Sequence, residues 1–330
     1  MLKNADKNRN TGAGTRPETA IDVIELAKTY PGDVRAVQGI SFDVGEGEVF
    51  GLLGPNGAGK STTVGMLTTT ILPTGGTARL VGHDVADAPR AARAVSSVVF
   101  QEAVVDRALT GLQHLELHAR LWRVDSEQAK STIEELAGSL HLEELLDREV
   151  GTFSGGERRR LEIARALVSE PRVLFLDEPT VGLDPRIRAE LLDVIAGLRE
   201  RSSTTILVTT HYLDEADRLC DRLAIMHSGK IVALDSPRAL RAQLGEQLME
   251  LRVSDDPAEA LATLRAQGIA GDDAFSVGAT LTVPLHDGGA GDALAAVERA
   301  GVRTVAVTTR KPTLDDVYLR LTGGQLADAA

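Results

Sequence analysis

The eight residues Gly54–Ser61 read GPNGAGKS and match the pattern of a phosphate-binding loop, Gly-x-x-x-x-Gly-Lys-Ser. The run EVFGLLG that leads into the loop is short and continuously apolar, which is typical of a strand buried on both faces. The run STTVGMLTTTIL after it has helical length and spacing. In this context, glycines let backbone N–H groups converge on phosphate oxygens beside the positive end of a helix. The sequence therefore predicts a site for a nucleotide phosphate between a buried strand and a helix.

Within this loop, Lys60 is expected to reach the β- and γ-phosphates, and Ser61 is expected to bind Mg²⁺. A structural glycine-rich turn is the alternative interpretation of the motif. The residues predicted to contact the nucleotide are Gly54, Pro55, Asn56, Gly57, Ala58, Gly59, Lys60, Ser61 and Thr62.

A second candidate site follows the apolar run 173–176, which ends in Asp177 and Glu178. An apolar strand with this ending delivers two carboxylates to the edge where open α/β sheets bind their ligands. Asp177 is predicted to hold Mg²⁺, and Glu178 is predicted to polarise the water that attacks the γ-phosphate. Taken alone, the pair suits a helix N-cap equally well, and the phosphate loop favours the catalytic interpretation.

A third segment, Ser154–Glu157, reads SGGE and precedes an amphipathic helix that opens with Arg158, Arg159 and Arg160. A serine N-cap followed by two glycines exposes amides and a hydroxyl at a positive helix end, which suits phosphate. A plain loop with an N-cap is the alternative. The three arginines are expected to pair with nearby carboxylates rather than with nucleic acid, because the chain is acidic.

Strand and helix patterns alternate along residues 21–235, which predicts an α/β sheet with a largely helical insertion at about 105–150. Residues 236–330 read as β-α-β-β-α-β, the order of a small α+β, ferredoxin-like domain, and a last short helix in TLDDVYLRLTGG is expected to close it. The boundary between the two domains is expected at 236–247. Residues 1–20 are polar and are expected to form a flexible tail.

The composition excludes several classes of protein. The chain has 36 Lys and Arg against 48 Asp and Glu, a formal net charge of −12, whereas generic nucleic-acid binders carry a basic excess. No apolar run approaches the length of a membrane span. The only cysteine, Cys220, rules out an intrachain disulfide and is expected to be buried. His114 and His118 stand four apart on a predicted helix and are expected on a solvated face rather than at a metal.

These motifs, in this order and spacing, resemble those of ATP-binding subunits of ABC transporters over roughly residues 21–235. The resemblance implies a P-loop NTPase of the ABC type with a helical subdomain, using ATP and Mg²⁺. It also implies that Ser154, Gly155 and Gly156 form the signature sequence, which meets ATP held by another subunit.

Further residues take their roles from the same resemblance. Tyr30 stands where the family has an aromatic that stacks on adenine, and Asp184 lies in the loop that crosses to the opposite monomer. Gln101 matches a glutamine that touches Mg²⁺ or the attacking water, and His211 matches a histidine that contacts the γ-phosphate. The implied catalytic residues are thus Glu178, His211, Gln101 and Lys60, and the implied metal ligands are Ser61, Gln101 and Asp177.

The C-terminal stretch Leu314–Gly323, LDDVYLRLTG, resembles the closing segment of ATP-binding subunits from the daunorubicin-resistance type of bacterial drug exporter. The implied function is ATP-driven export of a drug, antibiotic or lipid-like compound. The implied partners are a second copy of the chain, in an ATP-driven homodimer, and a membrane permease that docks near 105–150. The chain is then expected at the cytoplasmic face of the membrane, held there by the permease.

One departure concerns the signature, which in this family most often begins with Leu and ends in Gln. Here Phe153 and Glu157 occupy those positions. The acidic side chain is expected to weaken nucleotide affinity or alter pairing without abolishing hydrolysis.

Two other functions compete with export. A soluble ABC ATPase acting on ribosomes or nucleic acid is one, but too few residues separate Lys60 from Asp177 for a long coiled-coil insertion, and the chain has one nucleotide domain. A nucleotide-dependent regulator that does not hydrolyse ATP is the other, and Glu178 and His211 argue against it.

Overall fold

The computed structural model describes residues 19–102, 105–201, 203–285 and 290–323. Most of the expected flexible tail, residues 1–18, lies outside the described residues. Thr19 and Ala20 belong to the first strand, and Ala20 is buried. The folded part therefore starts before the expected Ile21, because the side chain of Ala20 already contributes to the core.

The bounds of the elements follow the chain. The strands are β1 Thr19–Tyr30, β2 Val34–Gly45, β3 Val49–Leu53, β4 Gly75–Leu80, β5 His83–Asp84, β6 Ser96–Val99, β7 Val173–Asp177, β8 Thr205–Thr210, β9 Arg222–His227, β10 Lys230–Asp235, β11 Gln247–Val253, β12 Phe275–Val277, β13 Thr280–Leu285 and β14 Thr304–Arg310. The α-helices are α1 Lys60–Leu67, α2 Pro89–Ala94, α3 Gly111–Leu121, α4 Ser126–Ser139, α5 Gly155–Leu167, α6 Pro185–Arg201, α7 Leu213–Leu219, α8 Pro237–Ala242, α9 Pro257–Ala266, α10 Ala290–Arg299 and α11 Leu314–Thr322.

A six-stranded sheet of order β10-β9-β3-β8-β7-β6 forms the centre of the fold. Its pairs are parallel except for β10, which runs antiparallel to β9 at one edge. Every residue of β3, β7 and β8 is buried, as the continuous apolar runs predict. The carboxyl ends of parallel strands meet at one edge, so the segments that follow β3, β7 and β8 come together there.

A second, antiparallel sheet of order β2-β1-β4-β5 packs against the first. Phe42 of β2 stacks on Phe50 of β3 with ring centroids 5.1 Å apart, which joins the two sheets in one core. Cys220 lies behind β3 and is buried as expected, and this burial raises the pKa of its thiol.

Helix α1 is shorter than its sequence pattern predicts, because it ends at Leu67 rather than running on through the threonines. The hydroxyl of Thr68 donates to the carbonyl of Val64, and the hydroxyl of Thr70 donates to that of Gly65, both at 2.9 Å. Thr69 between them has φ 61°, outside the helical region. Threonine hydroxyls that bond back to the main chain compete with continued helix formation, which explains the early end.

The predicted helical insertion consists mainly of α3 and α4, which pack on α5 through Leu115, Ile133 and Leu161. The expected solvated face is wrong for His114, which is 5% exposed and donates from Nε2 to the carbonyl of Asp106 at 2.7 Å. It is also wrong for the Nε2 end of His118, which is buried although the residue is partly exposed. His114 shares a face of α3 with Leu115, and this face packs against α4 and α5. The packing of this face buries His114.

Residues 247–310 form a second unit in the order β-α-β-β-α-β, with an antiparallel sheet β12-β13-β11-β14. This is the element order of a ferredoxin-like unit. It has a core of its own, in which Met249 and Leu251 of β11 pack with Leu264 and Leu281.

The expectation that the last helix closes this unit is wrong, because α11 packs on α7 and α8 instead. Tyr318 is 1% exposed, and its hydroxyl lies 3.2 Å from Nδ1 of His227 at the end of β9. Leu314 and Val317 join the same core as Leu240. The last described helix therefore belongs to the core of the first unit.

Candidate active site

The phosphate loop follows β3, and the backbone around it requires glycine at two positions. A Cβ on Gly54 would lie 2.4 Å from the carbonyl oxygen of Met226, and one on Gly59 would lie 2.5 Å from that of Ala36. Gly57, with φ 78°, has open space where a Cβ would be. The loop is thus tightly held from behind and open at its tip.

Lys60 begins α1 and is buried at the centre of this loop. Its Nζ donates to the carbonyls of Gly54 at 2.8 Å and Pro55 at 3.1 Å. It also lies 3.1 Å from Oε1 of Glu178, and both side chains are buried. Because a buried charge is costly without a partner, the geometry pairs these two opposite charges directly.

The two carboxylates occupy the carboxyl end of β7. Oδ1 of Asp177 accepts hydrogen bonds from Thr209 Oγ1 at 2.6 Å and from Ser61 Oγ at 3.4 Å. Glu178 has φ 46°, in the left-handed region that costs a non-glycine residue about 1 kcal/mol or more. Its amide donates to Thr209 Oγ1 at 2.9 Å. Thr209 therefore orients both acidic residues.

His211 follows β8 and faces the same carboxylate. Its Nδ1 lies 3.5 Å from Oε1 of Glu178, without the alignment of a hydrogen bond, and has no hydrogen-bond partner among the described residues. The ring packs on Tyr212 with centroids 4.1 Å apart. A buried ring nitrogen without a partner at this edge is available to a ligand.

The signature segment is a helix N-terminus that bonds to itself. The amide of Ser154 donates to Oε2 of Glu157 at 2.6 Å, and the amide of Glu157 donates to Oγ of Ser154 at 3.2 Å. This is a capping box, and the hydrogen bond from Ser154 is the main cause of a lowered pKa of the Glu157 carboxyl.

The glycines of this segment lie directly on the start of α6. A Cβ on Gly156 would lie 2.3 Å from Cγ2 of Ile187, and one on Gly155 would lie 3.3 Å from Leu183. Asp184 caps α6, since its Oδ1 accepts from the amide of Ile187 at 3.1 Å. The signature and the loop that carries Asp184 are thus neighbours in one chain.

The structure brings five of the predicted residues into one cluster and leaves others outside it. The clustered residues are Lys60, Ser61, Asp177, Glu178 and His211. Gln101 is exposed just after β6, and Tyr30 is half-buried at the end of β1 under Nζ of Lys28. Ser154 and Gly155 are also exposed.

The cluster has the features that a nucleotide with Mg²⁺ requires. The loop is lined by glycines and is open at Gly57, and the nearby Nδ1 of His211 lacks a partner among the described residues. Ser61 Oγ and a carboxylate oxygen of Asp177 converge, and oxygen ligands are those that Mg²⁺ prefers. The described residues hold no group of three or more His, Cys, Asp or Glu able to cage a metal. Proteins bind Mg²⁺ with one or two carboxylates together with substrate phosphates, and Asp177 supplies one such carboxylate beside Ser61.

The model of the family described as ABC transporter matches residues 37–181, from β2 to the turn after Glu178. The daunorubicin/doxorubicin resistance ATP-binding protein of Streptomyces peucetius is 42% identical over 312 residues, which cover 94% of this chain and 94% of that protein. The chain belongs to the ATP-binding subunits of ABC transporters.

Other relatives of this ABC ATPase agree. The Nod factor export ATP-binding protein I of Rhizobium meliloti is 39% identical over 323 residues, covering 96% of this chain and 91% of that protein. The structure of cbiO1 from Clostridium perfringens, described as part of an ABC transporter complex, has a TM-score of 0.64 at 27% identity and covers 68% of this chain and 91% of that one. An ATP-binding subunit of an ABC transporter has a TM-score of 0.62 at 30% identity, covering 69% of this chain and 94% of that one. The predicted family and the ABC-type P-loop fold are confirmed.

Sequence reasoning missed two residues that shape the site of this ABC ATPase. Thr209 binds both acidic residues, as described above. Glu215 of α7 is 1% exposed and accepts hydrogen bonds from the hydroxyls of Thr180 and Thr210, which flank Glu178 and His211 in sequence. The available signal was the pair of threonines that ends the apolar run of β8, because hydroxyls at the end of a buried strand need acceptors.

In the described part of the chain, no helix is both long and apolar enough to cross a membrane.

Proposed function

We propose that this ABC ATPase powers export of a drug, antibiotic or lipid-like compound through a separate membrane permease. The observation that carries the proposal is the cluster of Lys60, Ser61, Asp177, Glu178 and His211 at one edge of the sheet. The substrate class rests on relatives named for daunorubicin resistance and for Nod factor export.

In this proposal the phosphate loop, residues 54–62, receives the phosphates of ATP on its amides and at the start of α1. Lys60, which pairs with Glu178 in the structure, turns to the β- and γ-phosphates. The carboxylate of Glu178 is then released to accept a proton. Entry of the phosphates is thereby coupled to the availability of the base.

Ser61 and Asp177, with Gln101 from the segment after β6, are the proposed ligands of Mg²⁺, and Thr209 holds Asp177 in place. When bound, Mg²⁺ neutralises charge on the phosphate oxygens.

Hydrolysis then depends on Glu178 and His211. Glu178 accepts a proton from a water whose oxygen attacks the γ-phosphorus, while the bond to the β-phosphate oxygen breaks and leaves ADP and phosphate. Nδ1 of His211 lacks a hydrogen-bond partner among the described residues. In this proposal it forms a hydrogen bond with the γ-phosphate, and the histidine orients the water.

The other half of the nucleotide site comes from a second copy of the chain. Ser154, Gly155 and Gly156 present a hydroxyl and amides at the start of α5, and Asp184 lies beside them on the same surface. Tyr30 is the proposed platform for adenine. Two ATP molecules then hold a head-to-tail homodimer, and hydrolysis lets it open.

The helical subdomain at about 105–150 is the proposed docking surface for the permease. Its outer face exposes apolar side chains, including Leu121 at 72% and Trp122 at 38%. Apolar groups exposed together are typical of surfaces that bind partners. Docking there places the chain at the cytoplasmic face of the membrane.

The test is to purify the tagged chain from membranes of its native host, identify the protein that accompanies it, and measure phosphate release with candidate compounds. We expect an integral-membrane permease and drug-stimulated hydrolysis. Glu178→Gln is the matched variant, expected to keep the complex but to lower hydrolysis by about 1000-fold. Recovery of ribosomes or DNA in place of a permease would overturn the export proposal, and normal hydrolysis by Glu178→Gln would show that Glu178 is not the base.

A further inference from the structure

Arg159 lies inside the protein although it is one of three consecutive arginines. It is 7% exposed, whereas Arg158 and Arg160 on either side are only partly buried. Its guanidinium donates five hydrogen bonds, to the carbonyls of Pro179 (2.8 Å), Phe100 (2.5 Å), Asp177 (3.2 Å) and Glu178 (3.2 Å) and to Oε2 of Glu162 (3.0 Å).

These contacts use the whole hydrogen-bonding capacity of an arginine, which has five N–H donors in a fixed planar fork. The carboxylate of Glu162, itself 3% exposed, balances the buried charge. The sequence predicted that the three arginines pair with carboxylates. Arg159 does so through its bond to Glu162. Its other four bonds go to main-chain carbonyls. A lysine has three donors on a point charge and does not reproduce this pattern.

Three of the four carbonyls are consecutive and belong to the turn 177–179, which carries Glu178. This turn is strained, because Glu178 has φ 46°. The peptide groups of Glu178 are held from both sides, with the amide bound to Thr209 and the carbonyl bound to Arg159. The side chain that this turn aims lies beside Lys60 and His211.

The fourth carbonyl belongs to Phe100, the residue before Gln101. Arg159 itself lies on α5, the helix that begins at the signature serine, Ser154. One guanidinium therefore joins the signature helix, the turn of Glu178 and the segment of Gln101 within a single chain.

We propose that Arg159 is a positioning residue for ATP hydrolysis, which holds the turn that aims Glu178 and makes it move with α5 and the Gln101 segment. The proposal rests on the proposed role of Glu178 as the base. It assigns no contact with the nucleotide to Arg159, so loss of Arg159 alters the reaction step and leaves binding intact.

The experiment compares Arg159→Gln and Arg159→Lys in the full chain, with Arg158→Gln as a control that removes the same charge from a partly buried position of α5. Phosphate release gives kcat and KM, and a fluorescent ATP analogue with Mg²⁺ gives the Kd. Both Arg159 variants are expected to lower kcat by about 100-fold, because misplacing a catalytic group by about 1 Å costs this much. The Kd should change by less than about twofold, and Arg158→Gln should resemble the unaltered chain in both.

A second measurement separates positioning from a merely structural role. Combined with Glu178→Gln, Arg159→Gln should not lower the residual hydrolysis further, because the group it positions is already gone. Arg159→Lys keeps the charge opposite Glu162, so it decides the question if Arg159→Gln does not fold.

The proposal is overturned if Arg159→Lys keeps normal kcat, if Kd rises in step with the loss of kcat, or if the losses add in the double variant. These outcomes differ from failure of the proposed function, in which Glu178→Gln itself would retain hydrolysis.

Discussion

The two halves of the proposed nucleotide site are built in opposite ways. The phosphate-loop half joins distant residues, such as Asp177 and Thr209, 32 positions apart, whose side chains are both buried. The signature half is closed by bonds between Ser154 and Glu157, three positions apart, and Ser154 is exposed. The fold of one chain thus brings the buried cluster of the first half together, whereas the second half is a local structure that faces outward. We therefore expect the outward-facing half to be the one that depends on a second copy.

The largest effect that tests this difference is expected from Ser154→Arg. The long side chain would occupy the surface where a second copy brings its nucleotide, so hydrolysis should fall about 100-fold while isolated subunits bind ATP normally. The measurements are phosphate release and nucleotide binding at low protein concentration. Ser236→Arg is the control, because Ser236 is the N-cap of α8 and accepts a hydrogen bond from the amide of Ala239. This variant also loses a serine N-cap, but away from the nucleotide site.

If Ser154→Arg abolished nucleotide binding by isolated subunits, the two halves would not be separate, and the cross-subunit arrangement would be wrong.

A smaller effect is expected from the charge of Glu157. Glu157→Gln keeps an oxygen that accepts from the amide of Ser154 but removes a negative charge beside the proposed phosphates, so ATP-bound dimers should be severalfold more abundant. Glu157→Ala also removes half of the capping box and should cost about 1 kcal/mol of the free energy of unfolding. Size-exclusion chromatography with ATP and thermal unfolding separate the two effects.

Equal dimer fractions for Glu157→Gln and the unaltered chain would mean that the negative charge of Glu157 does not affect binding of the second copy's nucleotide.

The smallest effect concerns the pH dependence of stability and involves His118 of α3, which packs beside α5. Burial, helped by Arg165 of α5, lowers the pKa of His118 from 6.5 to about 4, and its Nε2 is buried without a hydrogen-bond partner among the described residues. The unfolded chain therefore binds the proton more readily. The stability that neutral His118 contributes is present above pH 6.5 and is lost as the pH falls towards 4.

Urea unfolding should show a lower free energy of unfolding at pH 5 than at pH 7 in the unaltered chain, and this part of the loss should be absent in His118→Leu. Hydrogen exchange should locate the loss in α3 and α5 rather than in the phosphate loop. Identical pH dependence in the two proteins would contradict the assignment to His118.

The motifs that the sequence predicted well are those whose partners are close in the chain. The phosphate loop and the N-cap at Ser154 each follow from a few adjacent residues, and the structure shows the expected loop and cap. The end of α1 was predicted poorly, because spacing alone does not show that the hydroxyls of Thr68 and Thr70 bond back to the helix.

Contacts that depend on sheet order were beyond the reach of local patterns. Thr209 meets Asp177 because β8 lies beside β7, and Arg159 meets Phe100 because α5 packs beside β6. Likewise, the burial of His114 depends on what packs against α3. Residue type and spacing identify the acidic pair, but the residues that orient it emerge only once the strands are ordered.

The return of α11 to the first unit has a consequence for synthesis of the chain. Tyr318 covers His227, and Val317 packs in the same core as Leu240, although some 70 residues or more separate these partners in sequence. During translation, the ATPase core around β9 and α8 therefore stays open until α11 has left the ribosome. A chain that stops before α11 is expected to expose the apolar surface around Leu240 and to be more susceptible to proteolysis than the full chain.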